Sequence, residues 1–117
     1  MAMFTETELE SVKHVLNGFL ERKRPREEIR DEVDLSYRID GQSVTIMEVR
    51  QAWRGPPGEK IELPIAKATY VRTHDHWRVY WQRADLKWHR YDPSDTVKDI
   101  QQFVDVVERD EFNAFFG

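Results

Sequence analysis

Cysteine is absent from the 117 residues. That removes a disulfide framework, a zinc–thiolate site and a cysteine nucleophile together, and it fits a reducing compartment. No apolar run approaches the ~20 residues that a membrane span requires. The first residues, Met1-Ala-Met-Phe-Thr-Glu-Thr-Glu8, are acidic and lack the basic and apolar regions of a secretory leader, which predicts a cytoplasmic protein. There is no glycine-rich phosphate loop either. Gly55 and Gly58 flank two prolines, and no Lys-Ser/Thr follows them. No serine stands in a nucleophile elbow, so hydrolase and nucleotide-triphosphatase readings have no starting point. Internal repeats and low-complexity segments are also missing.

What is present is charge and aromatic area. Asp, Glu, Lys and Arg make up 34% of the chain and Phe, Trp and Tyr 12%, which excludes disorder on compositional grounds. A chain of this length forms one domain, residues 1–117, with enough apolar area for a core. The formal net charge of -4 argues against a dedicated DNA binder, yet the distribution is uneven. Between Lys67 and Arg90 there are six Lys/Arg against two Asp, and from Asp92 onward seven acids against two bases. Steering depends on such local fields more than on the sum.

Apolar spacing at Leu9, Val12, Leu16, Phe19 and Leu20 predicts a helix over residues 5–22, with Thr5 and Glu8 at capping-box spacing. Lys23-Arg24-Pro25 should stop it. Five bases and four acids between Arg22 and Glu32 nearly cancel and read as a solvated connector. Alternation predicts strands over 35–39 and 44–49, joined at Asp40-Gly41. Gly55-Pro56-Pro57-Gly58 marks a loop. A third strand is expected over 61–72, interrupted near Pro64, a fourth over 77–83 and a fifth over 86–91. Asp92-Pro-Ser-Asp95 is expected to open a second helix, with Ser94 or Asp95 as its cap and Val97, Ile100, Val104 and Val107 as its apolar face. The closing segment 111–117 should pack back on the domain. The expected class is α+β: an N-terminal helix, a five-stranded antiparallel meander and a C-terminal helix packed on one sheet face.

At Ala66-Lys-Ala-Thr-Tyr-Val-Arg72 and Arg83-Ala-Asp-Leu-Lys-Trp-His-Arg-Tyr91, and on through Ile29-Arg-Asp-Glu-Val-Asp34, the hairpin 37–43 and Phe115-Phe116-Gly117, there is a likeness to known sequences. On these residues the chain resembles a small bacterial DUF3024-like family, a domain of unknown function. It implies a single intact domain in a bacterial cytoplasm and brings no assigned chemistry.

Residues 77–91 hold three of the four Trp and two of the four Tyr, interleaved with Arg78, Arg83, Lys87 and Arg90. Two readings compete. In the plain one, Trp77, Trp81 and Trp88 are core and the cations are a wet face. In the functional one, Tyr70 or Tyr80 with Arg72, Arg78, Arg83, Lys87, His89 and Arg90 forms a surface that stacks bases and holds phosphates. The expectation is a non-enzymatic binding module without cofactor or metal. Nucleic acid is slightly ahead of a protein partner, and the chain is a monomer or weak homodimer. The alternative is a divalent-metal nuclease built on Glu32 or Asp34 with Glu48, in the sequence Glu48-Val-Arg50. It needs a base where Arg50 stands, and Arg stays protonated. It also needs both acids on one face. The hydrophobic match of Leu35, Tyr37 and Ile39 with Val44 and Ile46 predicts the register that separates Asp34 from Glu48. His74-Asp75-His76 with His89 reads as a polar turn rather than a metal site.

Overall fold

The computed structural model describes residues 3–52, 54–112 and 114–116. Met1, Ala2, Trp53 in the proline–glycine loop, and Asn113 and Gly117 in the closing segment lie outside the described residues.

Helix α1 spans Glu6–Lys23. Its first turn is closed by the predicted box: Thr5 Oγ1 accepts from the Glu8 amide at 3.2 Å, and Glu8 Oε1 accepts from the Thr5 amide at 2.8 Å. Pro25 ends it, and Arg24 is already extended. The helix buries Val12, Leu16 and Phe19 against the sheet. The connector is more ordered than a solvated linker. It forms a 3-10 turn at Glu27–Ile29, the Arg24 guanidinium grips Asp34 at 2.9 and 2.7 Å, and Arg30 Nε donates to the Pro25 carbonyl at 2.9 Å.

Strands β1 (Val33–Asp40), β2 (Ser43–Gln51), β3 (Lys60–Val71), β4 (His76–Gln82) and β5 (Trp88–Arg90) follow in sheet order, each antiparallel to the one before. Gly41, at φ +61, makes the β1–β2 turn in the left-handed region that glycine occupies at no steric cost. The register is the one the hydrophobic match predicts: Asp40 opposes Ser43, Tyr37 opposes Ile46 and Leu35 opposes Glu48. β3 is not broken at Pro64. Ala66 pairs with Ile46 and Pro64 with Met47, so Ile65 is unmatched and the strand continues through a bulge.

The segment after β5 departs from expectation. Asp92–Ser94 is a single 3-10 turn, and Thr96–Val97 forms a sixth strand, β6, on β4. Helix α2 begins only at Ile100 and runs to Arg109, capped by Asp99, whose carboxylate accepts from the Gln102 amide at 2.8 Å. Ser94 and Asp95 therefore do not cap it, and Val97 is a strand residue. The reason lies in the edge of β4. β5 covers Tyr80–Gln82 only, and Thr96-Val97 covers Trp77 and Arg78. An exposed row of backbone donors is thereby paired.

Both helices lie on one face. Val44, Ile46, Ala66, Ala68, Trp77 and Val79 meet Leu16, Phe19, Ile100, Phe103, Val104 and Val107 in one buried cluster. Trp81 is half-buried at its margin. Beyond α2, Asp110 takes a left-handed conformation, and its carboxylate accepts from the Phe115 and Phe116 amides, each at 3.0 Å. This seats the Phe115 ring 4.8 Å from that of Tyr91. The result is an α+β fold. Among the described residues, no helix is long and apolar enough to cross a membrane.

Candidate nucleic-acid interface

Side chains alternate across a pleated strand, so the paired registers fix which residues share the helix-free face. One row crosses the sheet as Arg38, Thr45, Lys67, Tyr80 and Arg90. A neighbouring row is Asp40, Ser43, Thr69, Arg78 and Thr96. On the other side Gln82 faces Trp88. Four cations, Arg38, Lys67, Arg78 and Arg90, thus surround two rings, Tyr80 and Trp88.

The rings and cations touch. The Lys67 ammonium lies 5.6 Å from the Tyr80 ring centroid and 5.8 Å from that of Trp88. The Arg90 guanidinium carbon lies 5.9 Å from Tyr80. These separations are within cation–π range. Arg90 Nη2 also donates to the Asp95 carboxylate and carbonyl, each at 3.2 Å, while its Nε is buried and, among the described residues, has no hydrogen-bond partner. Among the described residues, Arg38, Lys67 and Arg78 have no carboxylate partner. Thr45 and Met47 share this face yet are buried, so the face has a closed middle and a charged surround.

Of the residues singled out from sequence, Arg78, Tyr80 and Arg90 come together here. The other four do not. Arg72 turns to the helix side and grips the Glu8 carboxylate at 2.9 and 3.0 Å. That contact, with the capping bonds of Thr5, holds the Glu8 carboxyl down at about 2. Arg83 lies over the Trp81 ring, 5.4 Å from its centroid, on the helix side. His89 pairs opposite Trp81 and bonds Asp85 at 2.9 Å. Lys87 is exposed in the turn between β4 and β5. Tyr70, the other candidate ring, packs on Phe4 and Trp77 and donates to Asp75 at 2.8 Å.

Trp88 corrects the plain reading. It belongs to the outer face, half-buried, and not to the core with Trp77. Sequence reasoning passed over Lys67, Arg38 and Trp88 as site residues. The signal for Trp88 was its parity with Arg90, two residues on. For Lys67 it was the parity of β3, which becomes readable once the Pro64 bulge is placed.

The carboxylates of the nuclease alternative are separated. Asp34 pairs opposite Val49 and Glu48 opposite Leu35. Arg24 draws the Asp34 carboxyl below its usual range, and Glu48 accepts from Arg50 at 2.8 Å. No group of three His, Asp or Glu among the described residues is placed to hold a metal ion.

A family model described as domain of unknown function (DUF3024) matches residues 4–117. The chain belongs to this family. No curated protein and no solved structure matches it.

Proposed function

We propose that this chain is a non-enzymatic binding module whose helix-free sheet face takes single-stranded nucleic acid, weakly and without sequence preference. One observation carries the reading: Lys67 stands between the half-buried rings of Tyr80 and Trp88, with Arg38 and Arg78 beside it and, among the described residues, without a carboxylate partner. Rings accept bases of any sequence because every base has a π face, at roughly 1–3 kcal/mol per stacked base. Flanking cations neutralise the phosphates between stacked bases. The buried centre of a protein–protein interface is depleted of charge, of lysine in particular, whereas here Lys67 stands between the two rings. A bacterial cytoplasm, where such strands arise, fits a chain without cysteine.

The test is anisotropy of a fluorescent oligonucleotide at low salt. Binding is expected below about 100 μM protein, the weak end of ordinary non-specific affinity. Lys67→Glu with Arg78→Glu should abolish it. Arg83→Glu, on the other face, should weaken it far less. No binding at about 100 μM by the unaltered protein, or equal loss from the Arg83 change, overturns the assignment.

A further inference from the structure

β3 is longer than the strand beside it. β4 pairs with it from Ala66 to Val71, so residues 60–65 have β2 on one side and, among the described residues, no strand on the other. Ile61 and Leu63 on this stretch are each 41% exposed. The direction of its backbone groups follows from one bond. The Ala52 amide donates to the Glu59 carbonyl at 2.8 Å, which makes residues 52 and 59 a hydrogen-bonded pair. Such pairs alternate along an antiparallel ladder. Ile61 opposite Arg50 and Leu63 opposite Glu48 therefore spend their backbone groups on β2. Lys60 and Glu62 turn theirs to the open edge.

We propose that this edge pairs with the same edge of a second copy of the chain, antiparallel, about a two-fold axis through Ile61. Only residues with outward backbone groups can bond across the axis, so the choices are few. Centring on Glu62 sets Glu62 against its own copy and Lys60 against Pro64, which has no amide hydrogen. Centring on Lys60 sets Lys60 against its own copy. Centring on Ile61 sets each Lys60 against the other copy's Glu62, giving four backbone hydrogen bonds and two opposite-charge pairs. It also brings the two Ile61 side chains together as a close, non-hydrogen-bonded pair. Lys, Glu and Pro on an edge usually discourage pairing. Here they discourage the registers centred on Glu62 and Lys60 and favour the one centred on Ile61, in which they are complementary. The present partners of these charges are loose: Lys60 reaches the exposed Asp31 at 3.5 Å, and Glu62 accepts from Ser36 at 3.3 Å. A two-fold axis normal to the sheet places both helix-free faces on the same side of a continuous sheet.

Sedimentation velocity from about 10 to about 500 μM, a range suited to a small edge-to-edge contact, tests this without nucleic acid. The unaltered protein should dimerise with rising concentration. Lys60→Glu or Glu62→Lys alone should weaken the dimer by about tenfold or more, because each creates two like-charge pairs. The double exchange should restore it. Glu62→Pro, which removes an edge amide turned away from β2, should also abolish it. The melting temperature of each variant confirms folding, since both positions are exposed. A monomer throughout, a dimer indifferent to the single exchanges, or a double exchange that restores nothing overturns the proposal.

Discussion

Asp34 and Glu48 lie on neighbouring strands but on opposite faces of the hairpin, Asp34 across from Val49 and Glu48 across from Leu35. Shared oxygen ligands must lie ~2–2.6 Å from one ion. Two carboxylates divided by the sheet do not meet that condition, and each has an arginine of its own. Titration calorimetry with magnesium or manganese at millimolar concentration is therefore expected to give no binding heat. A clear signal that Glu48→Gln removes would contradict the register.

Stability should follow burial rather than ring size. Phe103 is fully buried between the sheet and the helices, and Phe103→Ala should cost ~3–5 kcal/mol as a cavity-forming change. Trp81 is half-buried at the margin of the core, so Trp81→Ala should cost less than the Phe103 change. Arg78→Ala, exposed on the helix-free face, should stay within about 0.5 kcal/mol. Urea denaturation of the three variants gives the order, and a Trp81 cost equal to that of Phe103 would reverse it.

The start of α2 gives a second stability test. The Asp99 carboxylate accepts from the Gln102 amide, one of the donors that a helix start leaves unpaired. Asp99→Ala should cost about 1 kcal/mol. Ser94→Ala, five residues earlier in a 3-10 turn without a side-chain cap bond, should cost a few tenths at most, within the usual range of surface changes. Thermal melts of both variants check this.

Acid should loosen the packing of α1 against the sheet end. The Glu8 carboxyl sits at about 2 in the folded chain against an ordinary 4.5, chiefly through its hydrogen bond to Arg72. Asp34 is likewise lowered, chiefly by Arg24. A lowered folded value means that the contribution is complete above the unfolded value and is lost as pH falls toward the folded one. The melting temperature should hold from neutrality to about pH 4.5 and decline from there toward pH 2. Arg72→Ala should make that decline shallower, because the largest influence holding the Glu8 carboxyl down is removed and only the Thr5 capping bonds remain. An unchanged decline would show that other carboxylates control it.

The elements with strong periodicity were legible in the sequence. α1 carried its cap, its apolar stripe and its proline stop within one short segment, and the β1–β2 register followed from matching Leu35, Tyr37 and Ile39 with Val44 and Ile46. The segment 92–99 was not legible. Asp-Pro-Ser-Asp is a good helix opening locally, but the unpaired edge of β4 claims Thr96-Val97, and that edge exists only in the folded sheet. The candidate site was half legible for the same reason. Arg78 and Tyr80 declare their face by alternation along β4. Whether Trp88 joins the core or the outer face depends on where β5 begins, and β5 is only three residues long. Arg72 and Arg83 share the basic composition of the patch, yet strand parity and the Glu8 carboxylate draw them to the helix side.

The number of phosphates held by the outer face can be counted from salt dependence. Arg38, Lys67, Arg78 and Arg90 are the cations around Tyr80 and Trp88 on that face, and Arg90 is shared with Asp95. Each neutralised phosphate on a single strand contributes about -0.7 to the slope of log affinity against log salt. Three or four engaged cations predict a slope of roughly -2 to -3. Removing one, as in Lys67→Gln or Arg78→Gln, should make the slope shallower by about 0.7 while weakening binding for all sequences alike. Tyr80→Leu should behave differently. It keeps every cation, so affinity should drop by the stacking contribution of roughly 1–3 kcal/mol while the slope stays the same. Anisotropy titrations at four or five salt concentrations separate the two effects. A slope near zero in the unaltered protein would mean that the patch does not engage phosphates, and a Tyr80 change that altered slope and affinity together would mean that the ring acts only by placing Lys67 and Arg90.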